Sequence, residues 1–426
     1  MKTLIDHLNC AFDLNHLNKS DFPESQFKSV GILGGGTAGY FTALTLKACH
    51  PYLDIKVIES SRIPVIGVGE STTTEILPFL HHLLGFDPVD FFKKVKPTLK
   101  LGIQFDWGVP GDHHFNFNFF ASHHHESYYY ENSITNSNWP SVLMNNKKIP
   151  LLKESNGQHT SLMGSIPFSY HIDNQSFVNY LREHISNQGI EIIDAEVDSV
   201  NLNSNQFVDH LKTTDNQTLK YDFYIDCSGF RSKILGETLQ TEFIPYDTTL
   251  ITDKALTFNL PNNNSIDPYT SALTMNNGWC WKIPMRTEDH YGYVFSSQFY
   301  SEEEALKEVT QKFGSIEKHK IINFKSGRHS KAWNKNVFAL GNSYAFIEPL
   351  ESTAIQTIIS SAMLLCRLMP QSLNDSSTIN GLNKEISATW DTFRGFLGVH
   401  YKFNKKLDTD FWKWCRENVD IGDAQE

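Results

Sequence analysis

Val30-Gly31-Ile32-Leu33-Gly34-Gly35-Gly36-Thr37-Ala38-Gly39-Tyr40 is apolar up to Gly34 and then turns on glycine. Phe41-Thr42-Ala43-Leu44-Thr45-Leu46-Lys47 follows with helical character. That order predicts a strand, a tight turn and a helix. Gly34, Gly36 and Gly39 stand at G-x-G-x-x-G spacing, and each has its own task. Gly34 makes the turn, Gly36 lets a pyrophosphate approach the backbone, and Gly39 lets the helix pack on the strand. The anion would then sit on the N–H groups that open the helix, at Thr37 and Ala38. Next, Asp54-Ile55-Lys56-Val57-Ile58-Glu59 reads as a second strand ending in an acid. Glu59 lies about 20 residues past Gly39, where a carboxylate accepts the ribose hydroxyls of an adenosine. The expectation is an α/β fold with a Rossmann-type dinucleotide site. The motif alone does not choose between NAD and FAD. A glycine turn without a ligand is the plain alternative, and the acid-ended second strand argues against it.

Outside this unit, 426 residues suffice for one large core or for two that share an interface. Hydrophobic residues make up 40% and charged residues 20%, as in soluble globular proteins. Lys+Arg number 37 against 48 Asp+Glu, giving −11, which excludes a general attraction to nucleic acid or anionic lipid. The 6 cysteines are scattered without a C-x-x-C pair, as free thiols in a reducing cytoplasm would be. No apolar run approaches the roughly 18 residues of a membrane span. Residues 1–28 lack the pattern of a signal peptide, so a cytoplasmic location is expected.

The arm 1–27 carries Leu4, Leu8 and Phe12 at helical spacing, which suits packing on the domain or on a second chain and leaves a homodimer open. Gly67-Val68-Gly69-Glu70-Ser71-Thr72 frees the backbone for close approach and leads into a helix over 74–84. Lys100 opens a strand-like run, 101–107, among apolar neighbours. A surface lysine is the ordinary reading; partial burial would lower its pKa and free its amine. His113-His114 and His123-His124-His125 tempt a metal assignment, but adjacent strand residues point to opposite faces, and no Cys or H-E-x-x-H accompanies them. No metal is expected. Phe115 to Phe119 alternates aromatic and polar residues and reads as a half-buried strand; 126–165 reads as loop-rich, suited to a lid. His171 to Leu181 reads as a capped helix. Tyr221 to Asp226 is an apolar strand ending in Asp226-Cys227-Ser228-Gly229, suited to a second contact with the dinucleotide. Trp279 and Trp281 are two apart, so on a strand they share a face and form a wall. Val337 to Gly341 is a strand ending in glycine. Glu348-Pro349-Leu350-Glu351-Ser352-Thr353 then starts an apolar helix whose free N–H groups at Thr353 and Ala354 could hold a halide or the flavin edge. The remainder, 370–426, reads as a short tail with helical stretches near 388–403 and 411–418.

Together the dinucleotide turn, Asp226-Cys227-Ser228-Gly229 and Gly341 resemble the FAD-binding elements of flavoprotein monooxygenases. Gly67 to Thr72, the W-x-W-x-I-P of Trp279 to Pro284, and Glu348 to Thr353 narrow this to a resemblance to the flavin-dependent tryptophan halogenases, running from about Ser29 to Tyr401. The resemblance implies an FAD-binding core with an inserted β-sheet substrate region and C-terminal helices. The implied division is an arm at 1–27, a halogenase module at 28–369 and a helical segment at 370–426. Within the module the FAD part takes about 28–110, 165–235 and 320–369, and the substrate-side sheet about 111–164 and 236–319. The FAD contacts implied are Gly34, Gly36, Thr37, Ala38, Gly39, Glu59, Gly69, Glu70, Ser71, Asp226 and Gly341. By position Lys100 matches the catalytic lysine, Glu351 the catalytic glutamate, and Thr353 and Ala354 the halide-holding pair. Ser352 and Phe105 belong to the substrate pocket, and Trp279 and Trp281 form the wall between substrate and flavin.

The implied chemistry uses FADH2 from a separate flavin reductase, oxygen, and chloride or bromide to make hypohalous acid. Lys100 hydrogen-bonds that species or carries the halogen as a haloamine. An electron-rich aromatic ring attacks the halogen, and Glu351 assists or takes the ring proton. Ala354 stands where the family usually has glycine, so if the backbone there needs a positive φ, alanine costs about 1–2 kcal/mol; bromide, the more easily oxidised anion, is favoured. The short C-terminal segment suggests an open pocket for an indole or another aromatic, larger or carrier-bound. Two rivals remain: an aromatic hydroxylase and a non-catalytic FAD-binding homologue.

Overall fold

The computed structural model describes residues 22, 26–63, 69–111, 114–119, 138–262, 265–369 and 373–422. The helix expected around Leu4, Leu8 and Phe12, and the histidines His113 and His123 to His125, lie outside them.

The glycine turn joins the strand Ser29–Leu33 to the helix Thr37–Cys49. The strand is central in a six-stranded sheet. In spatial order it runs Glu191–Asp194, Asp54–Glu59, Ser29–Leu33, Phe223–Asp226, Val337–Ala339, Trp333–Asn334. The first five are mutually parallel, and the last is an antiparallel edge. Parallel strands buried on both faces need continuous apolar runs, and Val30, Ile32, Val57, Ile58, Phe223 and Ile225 are all buried. The helix Thr37–Cys49 is itself buried nearly all round, packed between the helices Asn174–Asn187 and Ala354–Arg367. Asp173 caps the former by accepting from Ser176 N at 2.8 Å, as the capped-helix reading anticipates.

The second layer is a seven-stranded sheet, ordered His319–Asn323, Lys254–Pro261, Glu288–Phe295, Gly278–Pro284, Thr270–Met275, Gly102–Asp106, Phe115–Asn118. All its pairings are antiparallel except that between Thr270–Met275 and Gly102–Asp106. The strand Phe115–Asn118 forms as expected, but Asn116 and Asn118 are its buried residues and Phe117 is 40% exposed. The asparagines win the inward face because their amides are matched there: Asn118 Nδ2 donates to Asn138 and Ser141, and Asn116 Nδ2 to Asn145 Oδ1 at 2.8 Å. Leu151–Lys153 and His159–Ser161 form a separate hairpin.

A three-stranded sheet bridges the two layers, ordered Glu70–Ser71, Ser169–Ile172, Thr98–Lys100. The expected run 101–107 forms as the strand Gly102–Asp106, but Lys100 does not open it: the chain changes sheets at Leu101. That break sets Lys100 at the end of a short bridging strand, opposite Ser169.

The segment after 370 is no tail. Ser376–Phe403 is one 28-residue helix, capped by Asp375, and Asp410–Asn418 is a second, capped by Thr409. They send Trp390, Leu397, Tyr401, Phe411 and Trp412 into the main core.

Candidate active site

A cavity of about 680 Å³ opens at the carboxyl ends of the parallel strands. Gly34, Gly36, Thr37, Ala38, Glu59, Gly69, Glu70, Ser71 and Gly341 all line it. Gly39 stands behind, where a Cβ would overlap Gly34 O, so its work is packing helix against turn. Asp226 also stands behind. Its carboxylate is taken up by Ser228 N, Ser228 Oγ, Ile234 N and Leu235 N, and it is Cys227 to Arg231 that reach the cavity. Glu59 is braced on both oxygens, by Tyr40 Oη at 2.6 Å and Arg182 Nη2 at 2.9 Å. A Cβ on Gly35 would overlap the Glu59 side chain, at Oε2 and at Cβ. Burial pushes the Glu70 carboxyl up to about 7, against the hydrogen bond it accepts from Asn174.

These residues fit a dinucleotide. Thr37 Oγ1 is buried on the cavity side without a hydrogen-bond partner, at the start of a helix. That is an unused donor where a phosphate oxygen would sit.

Lys100 and Glu351 do not line this cavity. Lys100 is fully buried; Nζ donates to Thr72 O at 2.8 Å and lies 5.3 Å from the centre of the Phe119 ring. No ion pair reaches it among the described residues. Burial pulls its ammonium down to about 7, against the opposing fields of Glu351 and Glu75. The strand residues beside it thus split by side: Glu70 and Ser71 serve the cavity, Thr72 serves Lys100.

The turn before Ala354–Arg367 splits the same way. Pro349, Ser352 and Ala354 line the cavity, whereas Glu351 turns inward, 5% exposed, with Oε1 2.9 Å from His400 Nε2. Burial disfavours the charge on His400, but Glu351 more than offsets this, and its pKa is raised. Ser352 Oγ donates to Ser71 Oγ at 2.9 Å, and Ser71 meets Thr270 Oγ1 at 2.6 Å, so the two turns close on each other between cavity and lysine.

Trp279 and Trp281 do share a face, with ring centres 5.9 Å apart. Trp281 lines the cavity, and a Cβ at Gly292 opposite would overlap its ring. Trp279 is fixed from behind, Nε1 donating to Glu348 Oε2 at 2.7 Å. Phe105 is buried with both ring faces covered, by Phe115 at 4.9 Å and His400 at 5.2 Å, so it supports the site from behind.

Thr353 and Ala354 open the helix, and neither amide has a hydrogen-bond partner among the described residues. The residue with left-handed backbone is Ser352, at φ 60; Ala354 is not among the positive-φ positions. The cost considered for alanine therefore does not arise. Ala354→Gly should lower stability by at most about 1 kcal/mol in denaturant titration. A gain of that size would instead reveal strain at the alanine.

Glu348, Tyr401, His400, Arg182 and Gly35 receive no site role in the sequence reading. Among the described residues no group of three His, Cys, Asp or Glu could hold a metal ion. No helix there is long and apolar enough to cross a membrane.

The profile of the family described as Tryptophan halogenase matches residues 29–426. The chain belongs to this family. It is thus a flavin-dependent halogenase, an oxidoreductase of a family whose members work with FAD, a separate flavin reductase and an aromatic substrate. Similar curated proteins include tryptophan 6-halogenase ThaL of Streptomyces albogriseolus, 29% identical over 92% of this chain and 80% of that protein. Tryptophan 7-halogenase RebH of Lentzea aerocolonigenes is also 29% identical, over 91% of this chain and 78% of that one. Among solved structures MibH, a lanthipeptide tryptophan 5-halogenase, is 42% identical with a TM-score of 0.87, covering 94% of this chain and 78% of that one. BrvH from Brevundimonas sp. BAL3, a flavin-dependent halogenase, is 31% identical with a TM-score of 0.83, over 92% and 82%.

Proposed function

We propose that this halogenase brominates an electron-rich aromatic ring, with Lys100 as the group that hands on the halogen and Glu351 as the group that receives the ring proton. The observation that carries the reading is Lys100 itself: a fully buried ammonium, pulled down to about 7, standing behind the partition that bounds the cavity. A lysine so placed costs stability, and no ion pair among the described residues returns it. Held near neutrality, it can donate a hydrogen bond to hypohalous acid or accept the halogen on its amine.

The cavity residues would hold FAD. Thr37 and the first helix amides take the pyrophosphate, and Glu59 takes the adenosine ribose. When bound, reduced FAD supplies the oxidising chemistry that turns halide and oxygen into hypohalous acid. The free amides of Thr353 and Ala354 would hold the halide beside it. Trp279 and Trp281 keep the aromatic substrate out of the cavity, and the hydrogen-bonded pair Ser71 and Ser352 borders the cavity on the side of the lysine. At Lys100 the ring carbon takes the halogen, hydroxide leaves as water with a proton from the site, and the displaced ring hydrogen passes to a Glu351 oxygen. Bromide ahead of chloride follows from its easier oxidation. The substrate is an indole or another electron-rich ring carried on something larger, such as tryptophan within a peptide, the substrate type in MibH's name.

Mass spectrometry tests this directly. Protein, FAD, flavin reductase and NADH are incubated with bromide and chloride over indole, tryptophan and tryptophan-containing peptides. Monobrominated product that requires the protein and exceeds chlorinated product at equal halide is expected. Hydroxylated product alone would mark an aromatic hydroxylase instead.

A further inference from the structure

One residue pair on the helix Ser376–Phe403 grips both glutamates of the turn before Ala354. Tyr401 Oη donates to Glu348 Oε2 at 2.6 Å, where Trp279 Nε1 and Thr252 Oγ1 also donate, at 2.7 and 3.2 Å. Its neighbour His400 meets Glu351 Oε1 at 2.9 Å. The imidazole is itself tightly held. Nδ1 donates to Phe396 O at 2.9 Å, which leaves Nε2 as the nitrogen that faces the carboxylate. Its ring stacks on Phe105 and meets the edges of Trp107 and Phe396. Both groups are buried or nearly so: the His400 side chain is 12% exposed and that of Glu351 4%. With Nδ1–H spent on a carbonyl, Nε2 meets Oε1 at 2.9 Å as an ion-pair contact, and Oε1 has no hydrogen-bond partner among the described residues.

We propose that His400 is the positioning residue of the Glu351 carboxylate, holding one oxygen by this charged contact so that the other is presented to the halogenated ring. This rests on the halogenase reading above. In the step concerned, the C–H bond at the halogenated carbon breaks, its electron pair returns to the ring, and the proton goes to the second oxygen of Glu351. His400 touches none of the reacting atoms and acts only through that carboxylate.

A kinetic isotope effect separates this role from a merely structural one. Loss of the ring proton is normally fast after halogen transfer, so ring deuteration changes the rate little. When the carboxylate is no longer aimed, proton loss becomes limiting. Wild type, His400→Phe and His400→Gln are compared with bromide, over indole and a tryptophan peptide, each with the indole ring protiated or deuterated. His400→Phe keeps the aromatic packing on Phe105 and should lose about 10–100-fold in kcat, with an isotope effect rising to about 2 or more. His400→Gln, which can still donate to Glu351, should recover much of the rate and an isotope effect near one. A loss of rate in His400→Phe without any isotope effect overturns the proposal. So does a Gln variant no better than Phe.

The contact is also checked without turnover. In protein labelled with 15N-histidine, the His400 signals, assigned by their loss in His400→Phe, should shift in Glu351→Gln. Signals that ignore Glu351→Gln would sink the inference. Wild type that brominates neither ring would count against the halogenase reading, while the labelled spectra still decide whether His400 and Glu351 are joined.

Discussion

Lys100→Ala is expected to remove brominated product by about 10³-fold or more while FAD binding and oxidation of reduced flavin continue unchanged. The split follows from where the residue sits. Lys100 contacts none of the cavity, so its loss leaves the cofactor site intact. What disappears is the buried amine to which the proposal assigns the halogen. Mass spectrometry of product and stopped-flow absorbance of the flavin read the two halves separately. Equal loss of both would place Lys100 in the cofactor site, contrary to its position. The same burial makes a stability prediction. Below about 7 the ammonium is charged in both folded and unfolded chain, and the full cost of burying it is present. Between about 7 and its ordinary value of 10.5 the unfolded chain binds the proton and the folded one does not, so stability rises with pH. Lys100→Met should therefore be more stable than wild type by about 1–4 kcal/mol near pH 6.5, with the difference shrinking toward pH 10. Denaturant melts at the two ends of this range test it, and a difference that grows with pH would have the wrong sign.

Local constraints explain what could be read without coordinates. The glycine turn is legible because its demands are backbone demands, met within a few residues by Gly34, Gly36 and Gly39, and Glu59 follows at a spacing set by one helix and one strand. Trp279 and Trp281 are legible for the same reason, since strand alternation alone puts them on one face. Lys100 and Glu351 came from a motif resemblance; nothing in their neighbours announces full burial, because the groups around Lys100 arrive from Thr72, Phe119 and Glu75 on separate segments. The roles of His400 and Glu348 were illegible for a stronger reason. Glu348 accepts on Oε2 from Thr252, Trp279 and Tyr401, three positions scattered along the chain. The helix that carries His400 opens with Ser376-Ser377-Thr378 after an aspartate cap, a polar start that reads as loop, so its length and core role were underestimated. Asp226 misled in the opposite direction. An acid at a strand end suits a ligand, but here it serves the turn's own amides.

Gly34→Ala should abolish FAD binding at micromolar cofactor and destabilise the fold, from one added methyl group. Gly34 holds φ at 123, a region alanine enters only at about 1–2 kcal/mol. Its Cβ would also overlap Cys227 O, a backbone atom that cannot rotate away. Both chains at that point are pinned: Gly34 N donates to Ile58 O at 2.8 Å and Cys227 N to Leu33 O at 2.8 Å, so separating them breaks the ladder between central strands. Overpacking of this kind adds about 1–3 kcal/mol. The turn is the cofactor cradle itself, so relief by backbone movement spoils the anion site; a loss of about 3 kcal/mol there is a factor above 100 in affinity. Gly85 provides the control. It too has positive φ, at 67, but a Cβ there meets nothing within 4 Å. Gly85→Ala should cost only about 1–2 kcal/mol of stability and leave FAD affinity unchanged. Fluorescence titration with FAD and thermal melts of the two variants discriminate clearly: if Gly34→Ala behaves like Gly85→Ala, the close approach of Gly34 to Cys227 is not what shapes the cradle.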